Sequence, residues 1–493
     1  FECIDELLPT LTHVINDSLS SGTFPSLFKQ ALVKPLIKKP SLDHNDFKSY
    51  RPVSNLSFIS KVVERIVLSQ LSDYLNSHDL FSSVQSAYRP HHSTETALQK
   101  IFNDLLVALD EGRVSVLALL DLSAAFDTID HDILLHRLEY DFGIGGLALS
   151  WFRSYLADRS QTVVVDGLRS EASSLRFGVP QGSVLGPVLF VLYTRPLDDI
   201  FTRHAVGHHA FADDTQMQKS CPPKDIDSVI AEVQLCVSDV KAWMSANKLQ
   251  LNDEKTEALL IKSGRTSLPD PTPTSIRVGQ SDIPFAAQAK NLGVTLTSTM
   301  SMDSHVSNVC KSAYIELRRI SSIRHYLTVD ATKVLVCAFV LSKLDYCNSL
   351  FSGCPQYVLD RLQRVQNCAA RLILKRRKRD HVQPLLRQLH WLPVRSRIEY
   401  KLSNLCFNHF AKSSPAYISD LLTVYVPTRT LRSSADSRTL VIPSTRTKTF
   451  GESAFSYSGP TQWNTLPHNL RHAQTTSAFK SQLKTHLFRS AFD

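Results

Sequence analysis

The chain has 493 residues, 43% hydrophobic and 20% charged, which is ordinary for a globular protein and enough for two or three domains. No apolar run approaches the roughly 18 residues that a bilayer-spanning helix needs, and FECIDELLPTL carries acids where a signal peptide needs bases, so an intracellular protein without a membrane partner is expected. The net charge of +9 is unevenly spread: residues 1–300 hold 27 Lys and Arg against 35 acids, and residues 301–493 hold 28 against 11. Such a basic second part suits a polyanion, and nucleic acid is the expected one, the alternative being a solvated basic face. The nine cysteines form no C-x2-C pair and read as core thiols rather than zinc ligands or disulfides.

In chain order, residues 1–30 read as a helix that turns at SSGTFPS. From 31 to 300, strand-like runs alternate with helical ones. VSVLALLDL (114–122) is a buried strand by its branched and leucine content, and HDILLHRL (131–138) has helical spacing. TVVVDG (162–167) is a strand ending in an Asp-Gly turn. PVLFVLYTRPLDDI (187–200) opens with Pro at a helix start, where the missing N–H costs nothing. Residues 226–248 form a long amphipathic helix, and SLPDPTPTS (267–275) is a Pro-rich break inside an expected hairpin. After about residue 300 the spacing is helical with Arg and Lys on exposed faces, and the last hundred residues read as a turn-rich basic module.

The segment HAFADDTQM (209–217) is the anomaly. Aspartate is a poor strand former, and two adjacent carboxylates repel, so Asp213 and Asp214 mark either a tight turn or a bound cation. Asp121 ends the strand VSVLALL. Were the two strands neighbours, Asp121 and Asp213 would converge at a gap suited to divalent cations such as Mg²⁺. The loop FGVPQGSVLGP (177–187), with three glycines ahead of a helix, permits close backbone approach to a phosphate, although a Gly/Pro loop alone is only a loop.

Order and spacing add what single motifs lack. LLDLSAAFDTIDH, FGVPQGSVLGPVLF, FADD, NDEKTE and NLGV follow one another as the blocks A to E of reverse transcriptases do. The chain resembles the reverse transcriptase of vertebrate non-LTR retrotransposons (long interspersed elements). The likeness continues from LVKPLIKKP and SYRPVSNLSFISKVVERI through LDYCNSL, VQNCAARLI, LHWLPVRSRI and LKTHLF. It implies an α+β right-hand polymerase with an antiparallel palm sheet. The implied parts are an N-terminal helical extension (1–30), fingers and palm (31–298), a helical thumb (299–380) and a basic C-terminal region (381–493). The implied activity is RNA-directed DNA polymerisation from dNTPs on an RNA template and a DNA primer, with two Mg²⁺ ions. An endonuclease domain is not expected in this chain, so it would extend a primer without making the nick.

Residue by residue, the resemblance makes Asp121, Asp213 and Asp214 the metal ligands, with Asp127 structural. Phe126 becomes the ring that excludes a ribose 2′-OH, or else core packing. Gln181 and Gly182 lie against the incoming nucleotide, and Arg51 with Lys38 or Lys39 neutralises its triphosphate. Lys255 protonates the departing pyrophosphate or is a surface lysine. Arg89 contacts template phosphate. Lys375, Arg376, Arg377, Lys378 and Arg379 hold RNA or act as a nuclear import signal, the alternative being a solvated helix end. Trp391 and Trp463 read as core aromatics rather than base-stacking ones. A rival of another class is a nucleic-acid-binding remnant of a mobile element, folded but inactive.

Overall fold

The computed structural model describes residues 4–123, 126–427 and 438–493. The chain opens with helix α1 (Ile4–Ser21), then strands β1 (Gln30–Ile37) and β2 (Tyr50–Asn55). Helices α2 (Phe58–Ser77) and α3 (Thr94–Asp110) precede β3 (Val114–Leu120) and the short β4 (Leu122–Ser123). Next come α4 (His131–Tyr140), α5 (Gly146–Leu156), β5 (Arg159–Val165), β6 (Leu168–Arg169) and β7 (Ser173–Leu175). Helices α6 (Gly186–Thr194) and α7 (Leu197–Arg203) lead to the hairpin β8 (Gly207–Phe211) and β9 (Asp214–Cys221). Helix α8 (Ile226–Ala246) is followed by β10 (Gln250–Leu251), β11 (Glu257–Ile261), and the hairpins β12 (Ser275–Val278) with β13 (Ser281–Pro284) and β14 (Gln288–Asn291) with β15 (Val294–Thr297). The remainder is helical: α9 (Asp303–Ile323), α10 (Val329–Val336), α11 (Ser342–Asp345), α12 (Gln356–Ile373), α13 (Gln383–Gln388), α14 (Val394–Phe410), α15 (Ala416–Ser419), α16 (Phe455–Asn464), α17 (His468–Arg471) and α18 (Thr476–Phe492).

The two largest sheets among the described residues both lie in the first 300. One has the order β2-β1-β5-β6 with β7 against β5; β1 is antiparallel to β2, placing Leu36 opposite Arg51. The other has the order β11-β3-β9-β8, with β11 antiparallel to β3. β3 is buried at every residue but the half-buried Leu119, as its unbroken VSVLALL predicts for a central strand. The Asp166-Gly167 turn has both residues at positive φ, 49° and 84°, which suits a tight hairpin between β5 and β6.

The described residues fall into two compact units. One comprises 1–88, 120–215 and 235–256; the other comprises 89–119, 216–234 and 257–493. The four-part division expected from sequence is one of role, and the compact units cut across it. In the second unit a single core runs from Leu98 and Leu105 of α3 through α9 and α12 to Trp463, Phe479 and Leu487. The last hundred residues are therefore only in part the turn-rich module read from sequence: α14 to α18 pack into this core, while the described residues between α15 and α16 hold no α-helix. Phe407 of α14 stacks on Phe479 of α18 at 4.1 Å, and Trp391 and Trp463 are buried in that core. The Pro-rich stretch 267–275 is likewise corrected: it links β11, which pairs with β3, to the separate β12–β13 hairpin.

Candidate active site

Every group in this paragraph belongs to the first unit. Asp121 directly follows β3, and β4 pairs with β10 so that Leu122 faces Leu251. The chain then turns at Asn252, whose N–H donates to the Asp121 carbonyl at 2.8 Å. That turn delivers Lys255, whose Nζ donates to Asp121 Oδ1 at 3.1 Å. The Lys241–Asp253 ion pair, 2.5 Å, ties the turn to α8.

Asp213 and Asp214 occupy the tip of the β8–β9 hairpin, after Ala212 at φ +60°. A second chain segment holds this strained turn. Buried Gln85 accepts from Ala212 N at 3.0 Å and from Ala87 N at 2.9 Å. Alongside it, Ser86 N donates to Ala210 O, Ala210 N to Val84 O, and Ser86 Oγ meets His209 Nε2 at 2.8 Å. The hairpin tip is thus pinned through its backbone, which leaves both carboxylates available.

The acids sense one another. Burial, then Asp213 and Asp121, push the Asp214 carboxyl up to about 6, and Lys255 opposes them. Burial and Asp121 also raise Asp213, while a hydrogen bond from its own backbone N–H, and then Arg51 and Lys255, lower it. The charge of Asp121 therefore reaches both acids of the tip, although they are about 90 residues away in sequence. Among the described residues, no three acidic, His or Cys side chains stand at metal-holding separations. The fit to a divalent cation is one of chemistry: three hard carboxylates whose charges disfavour one another, with an ammonium bonded to Asp121.

The glycine-rich loop closes against two neighbours. Gly182, at φ +125°, lies so close to β2 that a Cβ would stand 2.5 Å from the Ser54 carbonyl oxygen, and Ser54 N donates to Gln181 O at 2.7 Å. Gly178, at φ +80°, leaves a Cβ no room, 2.8 Å from the carbonyl oxygens of Phe126 and Asp127. Gln181 Nε2 donates to Asp127 Oδ2 at 2.9 Å, so Asp127 is a structural acid, linking loop to loop rather than starting the following helix. The Phe126 ring rests on buried Phe190 of α6, centroids 5.0 Å apart, and Phe126 O accepts from Val179 N.

A reverse transcriptase (RNA-dependent DNA polymerase) family model matches residues 37–296, more than half of the chain. The chain belongs to the reverse transcriptase family. Its fold is the right-hand polymerase fold, with mixed helix and sheet. It is 27% identical over 373 residues to the "Probable RNA-directed DNA polymerase from transposon BS" of Drosophila melanogaster, covering 74% of this chain and 40% of that protein. It is also 27% identical over 360 residues to the RNA-directed DNA polymerase from mobile element jockey of the same fly, covering 72% and 38%. The chain thus spans about two fifths of the length of these relatives. Among solved structures, apo telomerase from Candida tropicalis has a TM-score of 0.42 at 13% identity, covering 79% of this chain and 64% of that one.

Within this reverse transcriptase, Asp121, Asp213, Asp214, Lys255, Arg51, Phe126, Gln181 and Gly182 all lie in the first unit. Lys38 and Lys39 do too, but the Lys38 ammonium donates to the Lys48 carbonyl at 2.8 Å, stapling its own loop, whereas Lys39 is exposed. Arg89 falls in the second unit, half-buried, where its charge, behind burial, helps to lower His92. Lys375 to Arg379 also lie in the second unit, fully exposed. They directly follow the end of α12 at Ile373, with Arg376 N donating back to Arg371 O at 3.0 Å, which agrees with the alternative of a solvated helix end; Asp380, whose carboxylate accepts from Arg377 N at 3.0 Å, closes the loop.

Two residues of structural weight were not singled out from the sequence. Gln85 is one. The other is Glu64, 0% exposed on α2, which accepts from Val184 N (2.7 Å), Leu185 N (3.2 Å), Ser60 Oγ and Tyr155 OH. It satisfies the free N–H groups just ahead of α6 and so fixes the glycine-rich loop. Glu64 does leave a trace in the sequence, as a charge on the stripe Val63, Val67, Leu71, Leu75.

Proposed function

We propose that the chain is the RNA-directed DNA polymerase of a non-LTR retrotransposon, of the vertebrate long interspersed type that its blocks resemble. What supports this is that Asp121 with its Lys255 partner, and a backbone-pinned hairpin tip carrying two adjacent acids, lie in one compact unit of a chain that the reverse transcriptase family model matches over residues 37–296. Asp121, Asp213 and Asp214 would hold two Mg²⁺ ions, which when bound supply charge stabilisation at the attacking and leaving oxygens. Arg51, whose charge reaches Asp213, is placed to neutralise a triphosphate, with exposed Lys39 near the end of β1. The Gly182 backbone can approach a nucleotide because no side chain stands in the way. Phe126, steadied by Phe190, presents a ring beside the sugar and disfavours a 2′-OH. Lys255 lies within reach of the acids and can pass a proton from Nζ to a departing pyrophosphate once Asp121 releases it. The exposed Lys375–Arg379 loop suits RNA backbone and equally a nuclear import receptor, which gives nucleus and cytoplasm as locations.

A second reading, an inactive nucleic-acid-binding remnant, is favoured by one observation: Lys255 is bonded to Asp121 and no three ligands stand at metal-holding separations among the described residues. Primer extension on an RNA template with Mg²⁺ and dNTPs separates the two. Extension that Asp213→Ala abolishes supports the polymerase; template binding without extension supports the remnant.

A further inference from the structure

Three sequence segments that the catalytic centre leaves unused meet at one place in the second unit. LDYCNSL, LHWLPVRSRI and LKTHLF, spread over some 140 residues of chain, line a cavity of about 430 Å³. That is room for one nucleotide-sized ligand. Its walls join rings to cations, with Tyr400 half-buried and Lys484 exposed. Arg397 makes a bidentate pair with Asp345, and Lys401 bonds Glu95 at 2.6 Å, so both are held in place and partly neutralised. Among the described residues, Lys484 has no ion-pair or hydrogen-bond partner.

Asn348 adds a buried polar group to the wall. It lines the cavity and is 2% exposed; its Nδ2 leans on Asp345 Oδ1 at 3.4 Å, while its Oδ1 accepts no hydrogen bond. The helix wall opposite is broken by a π-helical turn at Cys337–Leu341, a distortion that recurs at functional sites. Residues 301–493, which supply every lining group of this cavity, hold 28 basic residues against 11 acids, so a polyanion is drawn to this unit.

We infer that this cavity takes one unpaired nucleotide of single-stranded RNA, its base against Tyr400 and its phosphate on Lys484. The site is separate from the carboxylate centre, so the inference stands whether or not the chain polymerises.

The test uses the full chain and a short single-stranded RNA carrying 4-thiouridine, read by fluorescence anisotropy and by mapping the photocrosslink. Lys484→Glu and Tyr400→Leu are each expected to weaken the single strand about tenfold, in line with the stacking energy of one base, while a blunt RNA duplex binds as before. The crosslink is expected within residues 390–400, equally in Asp213→Ala protein, so failure of the polymerase reading leaves this result untouched. Lys484 is exposed, so its variant decides the matter should Tyr400→Leu misfold. Unchanged single-strand affinity in Lys484→Glu overturns the inference. So does protection of the cavity by free ATP where the RNA gives none.

Discussion

Asp214→Asn should stabilise the metal-free protein at neutral pH, although it removes a residue placed in the catalytic centre. The Asp214 carboxyl is raised from 3.8 to about 6 by burial and by the charges of Asp213 and Asp121. An acid whose folded-state affinity for its proton is raised favours the fold while protonated. Between about pH 4 and pH 6 the unfolded chain gives up this proton before the folded one does, so that contribution is lost as pH rises and stays lost above. At ~1.4 kcal/mol per tenfold change in proton affinity, the ceiling is about 3 kcal/mol. The side chain is exposed, and solvent screening reduces this to about 1 kcal/mol. Asparagine keeps the shape and removes the charge. Thermal or urea melts in EDTA should therefore show the variant more stable by about 1 kcal/mol at pH 7.5 and level with the parent near pH 4. Mg²⁺ should reverse the order, because only the parent keeps the full carboxylate set for the ion. A variant less stable than the parent in EDTA at pH 7.5, or a difference that ignores pH, would refute the mutual repulsion of these acids.

Gln85→Leu keeps the side-chain volume but strands the N–H groups of Ala212 and Ala87. It should cost about 1–3 kcal/mol locally, speed hydrogen exchange at the 210–214 tip and lower extension rate more than template affinity. Gly182→Ala would drive a methyl to 2.5 Å from Ser54 O at φ +125°, so the loop must leave β2; the expected readout is a raised KM for dNTP with template binding unchanged. Glu64→Gln halves the acceptor capacity that serves Val184 N, Leu185 N and Tyr155 OH, with an expected loss of about 1–3 kcal/mol in urea titration. Phe126→Ala should raise ribonucleotide incorporation relative to deoxynucleotide, measured by competitive single-nucleotide extension, with little change in melting because the ring is only half-buried.

Local signals made much of this fold legible. β3, α4, α8, α9 and α12 lie where periodicity puts them, α6 starts at its expected proline although the run read to residue 200 breaks at Arg195-Pro196 before α7, and the Asp-Gly turn lies where its residue types demand. The misses have physical causes. In α18 the buried positions are Phe479, Leu483 and Leu487, a helical stripe, but Ser and Thr between them weaken the pattern because they favour caps and turns. In α16 an internal Gly459-Pro460 pair argues for a break, yet packing of Phe455 and Trp463 into the core overrides propensity. Gln85 had no local signal for its role at the tip, because the Ala212 N–H it satisfies lies 127 residues away, in the β8–β9 turn. The acids themselves were legible for the opposite reason. A pair of aspartates in an apolar run violates strand chemistry so plainly that it asks for an explanation.

That violation also explains why the supports of the centre are made of backbone contacts. Carboxylates that repel tend to open the turn that carries them, and any side-chain cation used to restrain them would compete with a metal ion for the same oxygens. Lys255 does so at Asp121 and is on a turn, where it can withdraw. The hairpin tip, by contrast, is restrained by the Gln85 amide and the 84–86 backbone, and the glycine loop by the Ser54 carbonyl and the Glu64 carboxylate. None of these bonds involves an oxygen of Asp213 or Asp214. It follows that Gln85→Glu, which adds a fourth negative charge near the tip and turns an amide into an acceptor-only group, should impair the protein more than Gln85→Leu. Added Mg²⁺ should recover part of that difference if charge on the acids is the cause, and none of it if the cause is repulsion between the new carboxylate and the Ala212 carbonyl oxygen that Gln85 Nε2 now faces.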